Sequence, residues 1–195
     1  MPSDTKAFLL YLRNLFPLEK FEHRLPPIML KHQLYSLINN RTMVDKQLND
    51  LKVSGEVKLF KLGNETDLYG VVFTDDYRSH VIRVMAEVSI GRNVTERFVN
   101  TIIKHCHDMS INKDTLMVEY LFTDEEITQL VKASVLTVRD IGSWWIAVPN
   151  AGMYVKSFQR GRKAVLTMIR KCKYKEILRK VCNFSFWFKP KPFYV

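Results

Sequence analysis

The chain has 195 residues and a mass of 23.0 kDa, with 47% hydrophobic and 26% charged residues. These ordinary values exclude a fibre or a mostly disordered polypeptide. The formal charge of +10 is unevenly placed, because residues 151–195 hold 12 of the 30 Lys and Arg residues and only one of the 20 acidic residues, Glu176. The last quarter of the chain therefore predicts a surface that faces an anion.

Three helices and a hairpin are predicted for the first 73 residues. The helices are expected from Asp4 to Pro17, after Pro26-Pro27, and from the N-cap Thr42 to a left-handed Gly55. The alternating segments 56–60 and 69–73 predict two strands joined by a turn at Gly63-Asn64. This order is typical of a winged helix-turn-helix domain.

Residues 74–149 repeat that order. Helices are predicted at 74–85, at 93–106 and from the capping box Thr123…Glu126, before a hairpin that turns at Gly142-Ser143. Residues 47–63 align with 126–142 without a gap, and the matched pairs are Leu48 with Ile127, Leu51 with Leu130, Val57 with Leu136, Leu59 with Val138, and Gly63 with Gly142. The pattern predicts two related winged-helix units. An unrelated α+β domain with two hairpins is the alternative.

The basic region follows Pro149. From Tyr154 to about Val181 there is no proline and one glycine, Gly161, so the sequence predicts one helix or two helices separated at Gly161. At 3.6 residues per turn, five cations fall within an arc of about 100°. This basic stripe consists of Lys156, Arg160, Lys163, Arg170 and Lys171. Beyond it, the charge is extended by Lys173, Lys175 and Arg179.

These eight cations are the candidate DNA-contacting residues. A solvated protein face normally mixes charge signs, whereas a cationic stripe on one helical side is suited to phosphates. An acidic membrane surface is the alternative ligand, because residues 183–195 are rich in aromatics. That segment also contains two prolines, and we expect it to form an aromatic tail without regular pairing.

Enzymatic sites are not supported by the sequence. The sequence contains no glycine-rich phosphate-binding loop. The segment Val138-Arg139-Asp140 lacks the His and Asn that a kinase catalytic loop requires. The cluster His105-Cys106-His107 cannot close on one metal, because neighbouring helical residues point about 100° apart. The acidic clusters Asp75-Asp76 and Asp124-Glu125-Glu126 stand at predicted helix starts, where capping accounts for them. Of Trp144 and Trp145, one is expected to anchor the core.

Compartment and membrane signals are sparse. No segment approaches the roughly 20 apolar residues of a membrane span, and the apolar run at residues 7–12 is too short for a signal peptide. Three cysteines without framework spacing favour a reducing compartment.

The sequence resembles the family named serine/threonine-protein kinase nineteen from about residue 4 to 180. The resemblance is carried, in matching order and spacing, by Asp4-Thr-Lys-Ala, Leu25-Pro-Pro-Ile, His32-Gln-Leu-Tyr-Ser-Leu, Phe73-Thr-Asp-Asp-Tyr-Arg, Val135-Leu-Thr-Val-Arg-Asp, Gly142-Ser-Trp-Trp and Lys171-Cys-Lys-Tyr. It implies three winged-helix units, DNA binding and no kinase activity. It also implies a nuclear role in transcription-coupled nucleotide excision repair, linking the stalled RNA polymerase II–Cockayne syndrome complex to TFIIH.

The family's DNA-contacting positions in its third unit correspond to Lys156, Arg170, Lys171 and Lys173. The sequence departs from the family after about Lys180, where the family continues with basic residues and strands that complete the third unit. The family's basic N-terminal extension is also missing. We therefore expect an incomplete third unit followed by a divergent aromatic tail.

The combined prediction is a mostly α protein with small β-hairpins (α+β), built from tandem winged-helix units. The expected divisions are unit 1 at 1–73, unit 2 at 74–149, a partial third unit at 150–182 and the tail at 183–195. The protein is expected to be a non-enzymatic scaffold that binds double-stranded DNA, or RNA, without a cofactor or metal, in the nucleus or also in the cytoplasm. A protein–protein adaptor without DNA binding is the alternative, and a basic peripheral membrane protein ranks third.

Overall fold

The computed structural model describes residues 4–63, 68–174 and 176. Its α-helices are α1 (Asp4–Leu15), α2 (Lys31–Leu37), α3 (Arg41–Val53), α4 (Thr74–Glu87), α5 (Arg92–Phe98), α6 (Asp124–Lys132) and α7 (Ala151–Lys171). Its strands are β1 (Met29–Leu30), β2 (Val57–Lys61), β3 (Tyr69–Phe73), β4 (Ser110–Asn112), β5 (Leu136–Asp140) and β6 (Ser143–Ile146). Short 3-10 or π-helical segments occur at Leu18–Phe21, Val99–Ile103 and Thr115–Glu119.

Two three-stranded antiparallel sheets have the same topology. Their strand orders are β1-β3-β2 and β4-β6-β5, so a short first strand pairs with the last strand of a hairpin in each. In each half of the first 150 residues, a short strand is followed by two helical segments and then the hairpin. The α+β architecture with winged-helix order agrees with the sequence prediction, although β1 and β4 were not expected.

The first core lies between α1, α2, α3 and one face of the β1-β3-β2 sheet. Its buried residues are Leu9, Met29, Leu34, Ile38, Val44, Leu48, Leu51, Val57 and Val71. The second helix begins at Lys31, later than its apolar pattern suggested, because Met29 and Leu30 pair with Val71 and Gly70 as β1. The N-cap of α3 is Asn40, whose side chain accepts a hydrogen bond from Met43 N, and not Thr42 as predicted.

The ends of α3 and α6 are built alike. Gly55 has φ +76° and Ser134 has φ +58°, and these two residues are matched by the alignment of residues 47–63 with 126–142. One residue later, Glu56 N donates to Leu51 O over 3.0 Å and Val135 N donates to Leu130 O over 3.2 Å. The turn glycines at 63 and 142 also share a positive φ, of 78° and 75°. The two repeats thus share backbone conformation as well as the apolar pattern.

Both faces of the β1-β3-β2 sheet are covered. Val57 and Val71 face the first core. Lys58, Phe60 and Val72 lie on the opposite face of the sheet and are also buried. The centroids of the Phe60 and Tyr77 rings lie 4.7 Å apart, which places α4 against this second face. The two winged-helix halves therefore share packed side chains.

The chain divides between Gly152 and Met153 into two compact units. The second begins within α7, an uninterrupted helix to Lys171 that Gly161 does not divide. Of the two alternatives that the sequence left open, one helix or two helices separated at Gly161, the structure shows the single helix. Residues 175 and 177–195, including Lys175, Arg179 and the aromatic tail, lie outside the described residues. Among the helices that the structure describes, none is both long and apolar enough to cross a membrane.

Candidate nucleic-acid interface

Helix α7 carries the basic stripe. It has six Lys and Arg residues and no acidic residue, and its five stripe cations are exposed, as is Lys173 directly after the helix. Between Lys156 and Lys171, a rise of 1.5 Å per residue gives about 22 Å of helix. Over the described part of the chain, no carboxylate forms an ion pair with these cations. The continuous helix keeps the stripe in a single arc.

Arg162 is the α7 cation that lies away from the stripe. Arg162 is exposed and directly precedes Lys163 in the sequence, but the two side chains point about 100° apart around the helix. On the side opposite the stripe, apolar residues are partly buried, namely Tyr154, Val155, Phe158, Val165 and Ile169. Leu166, which the sequence pattern places on the same side, is 42% exposed, so the apolar side of the helix is only partly covered.

The two helices that precede the hairpins are poor candidates for phosphate contact. On α3, Asp45 is bound by Lys31 Nζ at 2.8 Å and by Tyr35 Oη at 2.5 Å, and the Lys31 hydrogen bond lowers the pKa of Asp45. Helix α6 begins with Asp124 and Glu125, both exposed. Carboxylates at the N-terminal end of such a helix repel the phosphates of a groove. Among the described helices, α7 is the one that combines six cations with no carboxylate.

Other acidic residues bind basic partners. Arg13 donates two hydrogen bonds to Asp76, over 2.6 and 2.7 Å, so capping alone does not account for that carboxylate. Glu126 completes the predicted capping box by accepting from Thr123 N at 2.9 Å, and it also pairs with Arg97 at 2.8 Å. These partners account for Asp76 and Glu126 without acid–base catalysis.

The His105-Cys106-His107 segment has a structural role. The carbonyl oxygen of Cys106 accepts a hydrogen bond from the buried Lys58 Nζ over 2.6 Å, and that of Ile102 accepts another over 3.2 Å. Burial raises the pKa of the Cys106 thiol, which makes it a weaker nucleophile at neutral pH. Within the residues that the structure describes, no group of three His, Cys, Asp or Glu side chains could hold a metal.

Trp144 and Trp145 are both half-buried, so burial does not single out one of them as the core anchor. Two cations contact the ring of Trp145, with Arg139 Cζ 4.6 Å and Lys61 Nζ 5.1 Å from its centroid. The sequence offered no signal for this contact, because Lys61 belongs to the other hairpin.

Comparison with known proteins agrees with this architecture. The family described as inactive serine-threonine protein kinase 19 matches residues 9–183. The chain belongs to that family. Its relatives include human winged helix repair factor 1, which is 44% identical over 180 residues covering 91% of this chain and 69% of the human protein. The mouse protein of the same name is 47% identical over 169 residues, covering 85% and 65% of the two chains.

These relationships confirm two predictions. The family is named for an inactive kinase, which agrees with the absence of kinase motifs and with a protein that is not an enzyme. The human and mouse relatives are named winged helix repair factor 1, which agrees with the two sheets and their topology. The chain spans about two thirds of the length of the human and mouse relatives. The individual DNA-contacting residues stay predictions.

Proposed function

We propose that the protein binds duplex DNA through the basic stripe of α7, by phosphate contact with little reading of base sequence. The observation that carries this proposal is a 21-residue helix with six cations and no carboxylate. A stripe of about 22 Å follows several phosphates of a duplex, which carries one phosphate per 3.4 Å on each strand. Lys173, which is exposed directly after the helix, extends the same contact, and the sequence adds Lys175 and Arg179 as further candidates.

Duplex binding by fluorescence anisotropy at several salt concentrations tests the proposal. Each phosphate contact contributes about −0.9 to the slope of log affinity against log salt. The triple variant Arg170→Glu, Lys171→Glu, Lys173→Glu should therefore lose most binding and reduce the slope by roughly 3. The control carries the same charge reversals at three exposed positions before residue 153, Lys46, Arg78 and Lys132. Equal losses in both triples would contradict a local site.

A matched pair of single variants tests the stripe itself. Lys163→Glu reverses a stripe cation, whereas Arg162→Glu makes the same charge change about 100° around the helix. We expect Lys163→Glu to weaken binding several-fold more than Arg162→Glu, because only the former faces the phosphates. Indistinguishable affinities would assign the effect to net charge alone.

The biological role we propose is that of a nuclear scaffold in transcription-coupled nucleotide excision repair. It would link stalled RNA polymerase II and the Cockayne syndrome complex to TFIIH while α7 holds DNA. Support comes from membership in a family of winged-helix repair factors. Purification of the tagged protein from ultraviolet-irradiated cells should recover these complexes in a transcription-dependent manner. Their absence would contradict the role even if DNA binding persists.

An adaptor without DNA binding is the second candidate. It is favoured by the mixed charge of α3 and by the acidic start of α6, which suit protein partners better than phosphates. The salt titration distinguishes the two functions, because an adaptor shows no duplex binding even at low salt.

A further inference from the structure

Leu121 has a backbone conformation that a leucine rarely adopts. Its φ is +58°, in the left-handed region where a side chain costs free energy relative to glycine. An apolar residue at such a position is an exception within this molecule. Among the described residues, every other positive φ belongs to a glycine or to a polar residue, namely Glu22, His23, Ser89, Ser134 and Asn150.

The left-handed residue ends the π-helical segment Thr115–Glu119. Phe122 N, directly after it, donates to Leu116 O over 2.9 Å, and both of these side chains are buried. This bond and the two buried residues are features of the Schellman ending of a helix. Glycine is the usual residue at the left-handed position of that ending, because it has no Cβ. The local fold therefore favours glycine at position 121.

Packing does not explain why the residue is a leucine. Leu121 is 70% exposed, and Val118, three positions earlier, is 72% exposed. Met117 and Tyr120 are half-buried, so they add apolar surface to the same turn. Two exposed apolar residues, one of them held in a strained backbone conformation, indicate a surface that makes contacts outside the chain.

Carboxylates border this apolar turn. Residues 114–126 include five acidic residues and no Lys or Arg. Two of the five are paired, because Lys113 Nζ lies 2.9 Å from Asp124 Oδ1 and Arg97 binds Glu126. The other three are exposed and form no ion pair with any residue that the structure describes, and they are Asp114, Glu119 and Glu125.

The charge of this acidic–apolar turn (residues 114–125) defines the chemistry of its partner. The Lys113–Asp124 pair joins the two ends of the turn, which brings Asp114 and Glu125 to the same end. Unpaired carboxylates repel phosphates and anionic lipid surfaces, and they attract Lys and Arg side chains. Exposed apolar residues require an apolar surface opposite them. A protein segment with an apolar side and flanking cations meets both requirements.

We propose that the acidic–apolar turn binds a cationic amphipathic segment of a partner protein. Apolar residues of the segment cover Val118 and Leu121, and its Lys or Arg residues pair with the three unpaired carboxylates. The contact uses the leucine side chain that the local fold does not need. The interaction does not depend on the DNA contact of α7, and it assigns a protein-binding surface to the second winged-helix half.

A fluorescein-labelled 14-residue peptide of leucine and lysine serves as the probe, with the leucines spaced to form one side of a helix. Anisotropy is measured on the full chain. We expect saturable binding, and at least tenfold weaker binding of a peptide with the same composition but no apolar side. Equal binding of the two peptides would assign the effect to charge alone and overturn the apolar contact. Failure of the first peptide to bind would overturn the proposal altogether.

The variant Leu121→Gly separates binding from folding. Glycine suits the positive φ, so the urea midpoint should equal or exceed that of the wild type, whereas peptide binding should weaken at least tenfold. Val53→Ala removes an exposed apolar side chain at the end of α3 and is the control with unchanged peptide affinity. Wild-type affinity of Leu121→Gly for the peptide would contradict the contact. Self-association that Leu121→Gly abolishes would assign the turn to a second copy and overturn the proposal.

Charge reversal tests the carboxylates. Glu125→Lys should weaken peptide binding at least tenfold, whereas Glu19→Lys makes the same change at an exposed position elsewhere and should weaken it less. Equal losses would assign the effect to net charge and overturn the site. Duplex DNA affinity of Leu121→Gly should equal that of the wild type, so failure of this contact and failure of the DNA proposal are measured separately.

Discussion

The ammonium group of Lys58 donates a hydrogen bond to the carbonyl oxygen of Cys106, 48 residues away, over 2.6 Å. A second bond to Ile102 O, 3.2 Å long, makes this buried amine a cap for the C-terminal end of a helical segment in the other half. A strand of the first winged-helix half thus satisfies backbone carbonyls of the second.

The first prediction concerns the pH dependence of Lys58. Burial lowers the pKa of its amine to about 8, below the value of about 10.5 in an unfolded chain. Between these values the unfolded chain binds more protons than the folded one, so the free energy of unfolding should rise with pH. From pH 7.5 to pH 10 the contribution is about 2 kcal/mol.

Urea unfolding at the two pH values measures this contribution. Lys58→Met should remove it, so that the stability difference between the variant and the wild-type protein changes with pH. Lys104→Met, at an exposed position near the same helical segment, is the control and should preserve the wild-type dependence. A Lys58→Met curve parallel to that of the wild type would refute the shifted pKa.

The second prediction concerns His80, which is buried in α4. Arg83 donates to its Nδ1 over 2.9 Å, so its Nε2 carries the hydrogen and donates to Pro149 O over 3.0 Å. Burial lowers the pKa of His80, and a protonated ring would also lose the Arg83 bond. Because the unfolded chain then binds the additional proton, the free energy of unfolding should fall as the pH drops below about 6.5.

Thermal unfolding between pH 7 and pH 5 measures the effect. His80→Gln keeps a polar side chain that does not titrate and should flatten the loss of stability in acid. His105→Gln, at an exposed position, should leave it intact. Identical acid profiles for His80→Gln and the wild type would show that another group is responsible.

The third prediction concerns the ion pair between α1 and α4. Asp76 accepts two hydrogen bonds from Arg13, whose guanidinium also lies 5.7 Å from the centroid of the Phe73 ring. The pair is partly exposed, so Asp76→Asn should cost about 1 kcal/mol of unfolding free energy, and less at high salt. Chemical denaturation should show that the neighbouring exposed Asp75→Asn costs less. An equal cost would attribute the effect to the helix dipole.

The fourth prediction concerns the start of α6. Thr123 Oγ accepts from Glu126 N over 3.2 Å, while the Glu126 carboxylate accepts from Thr123 N. Thr123→Ala should therefore destabilise the protein by about 1 kcal/mol in denaturant titrations. Thr128→Ala, at an exposed position within the same helix, should cost less because alanine favours the helix interior. If the two variants are equally stable, the cap contributes nothing measurable.

Local signals in the sequence identified much of the fold. The capping box at Thr123 and the left-handed end of α3 at Gly55 depend on a few neighbouring residues, and both were predicted correctly. The strands β1 and β4 were missed because two or three residues show no alternation. Their stability comes from pairing with residues distant in sequence, such as Val71 and Trp144.

The candidate DNA-binding site was accessible to sequence analysis because its residues lie on one helix, where 3.6 residues per turn determine which cations share a side. The exposure of Val138 on β5 was not. Leu59 and Val138 occupy matched positions in the repeat, yet one is packed and the other exposed. Which strand another element covers is a property of tertiary packing that an apolar pattern does not encode.

The packing of Phe60 on Tyr77 has a mechanical consequence. Two winged-helix halves joined by a free linker would reorient independently, but here Phe60 and Tyr77 pack together and Lys58 binds carbonyl oxygens of the second half. Because reorientation would break these contacts, we expect the two sheets to move as one body. A surface on the first half would then stay at a fixed distance and angle from a surface on the second half.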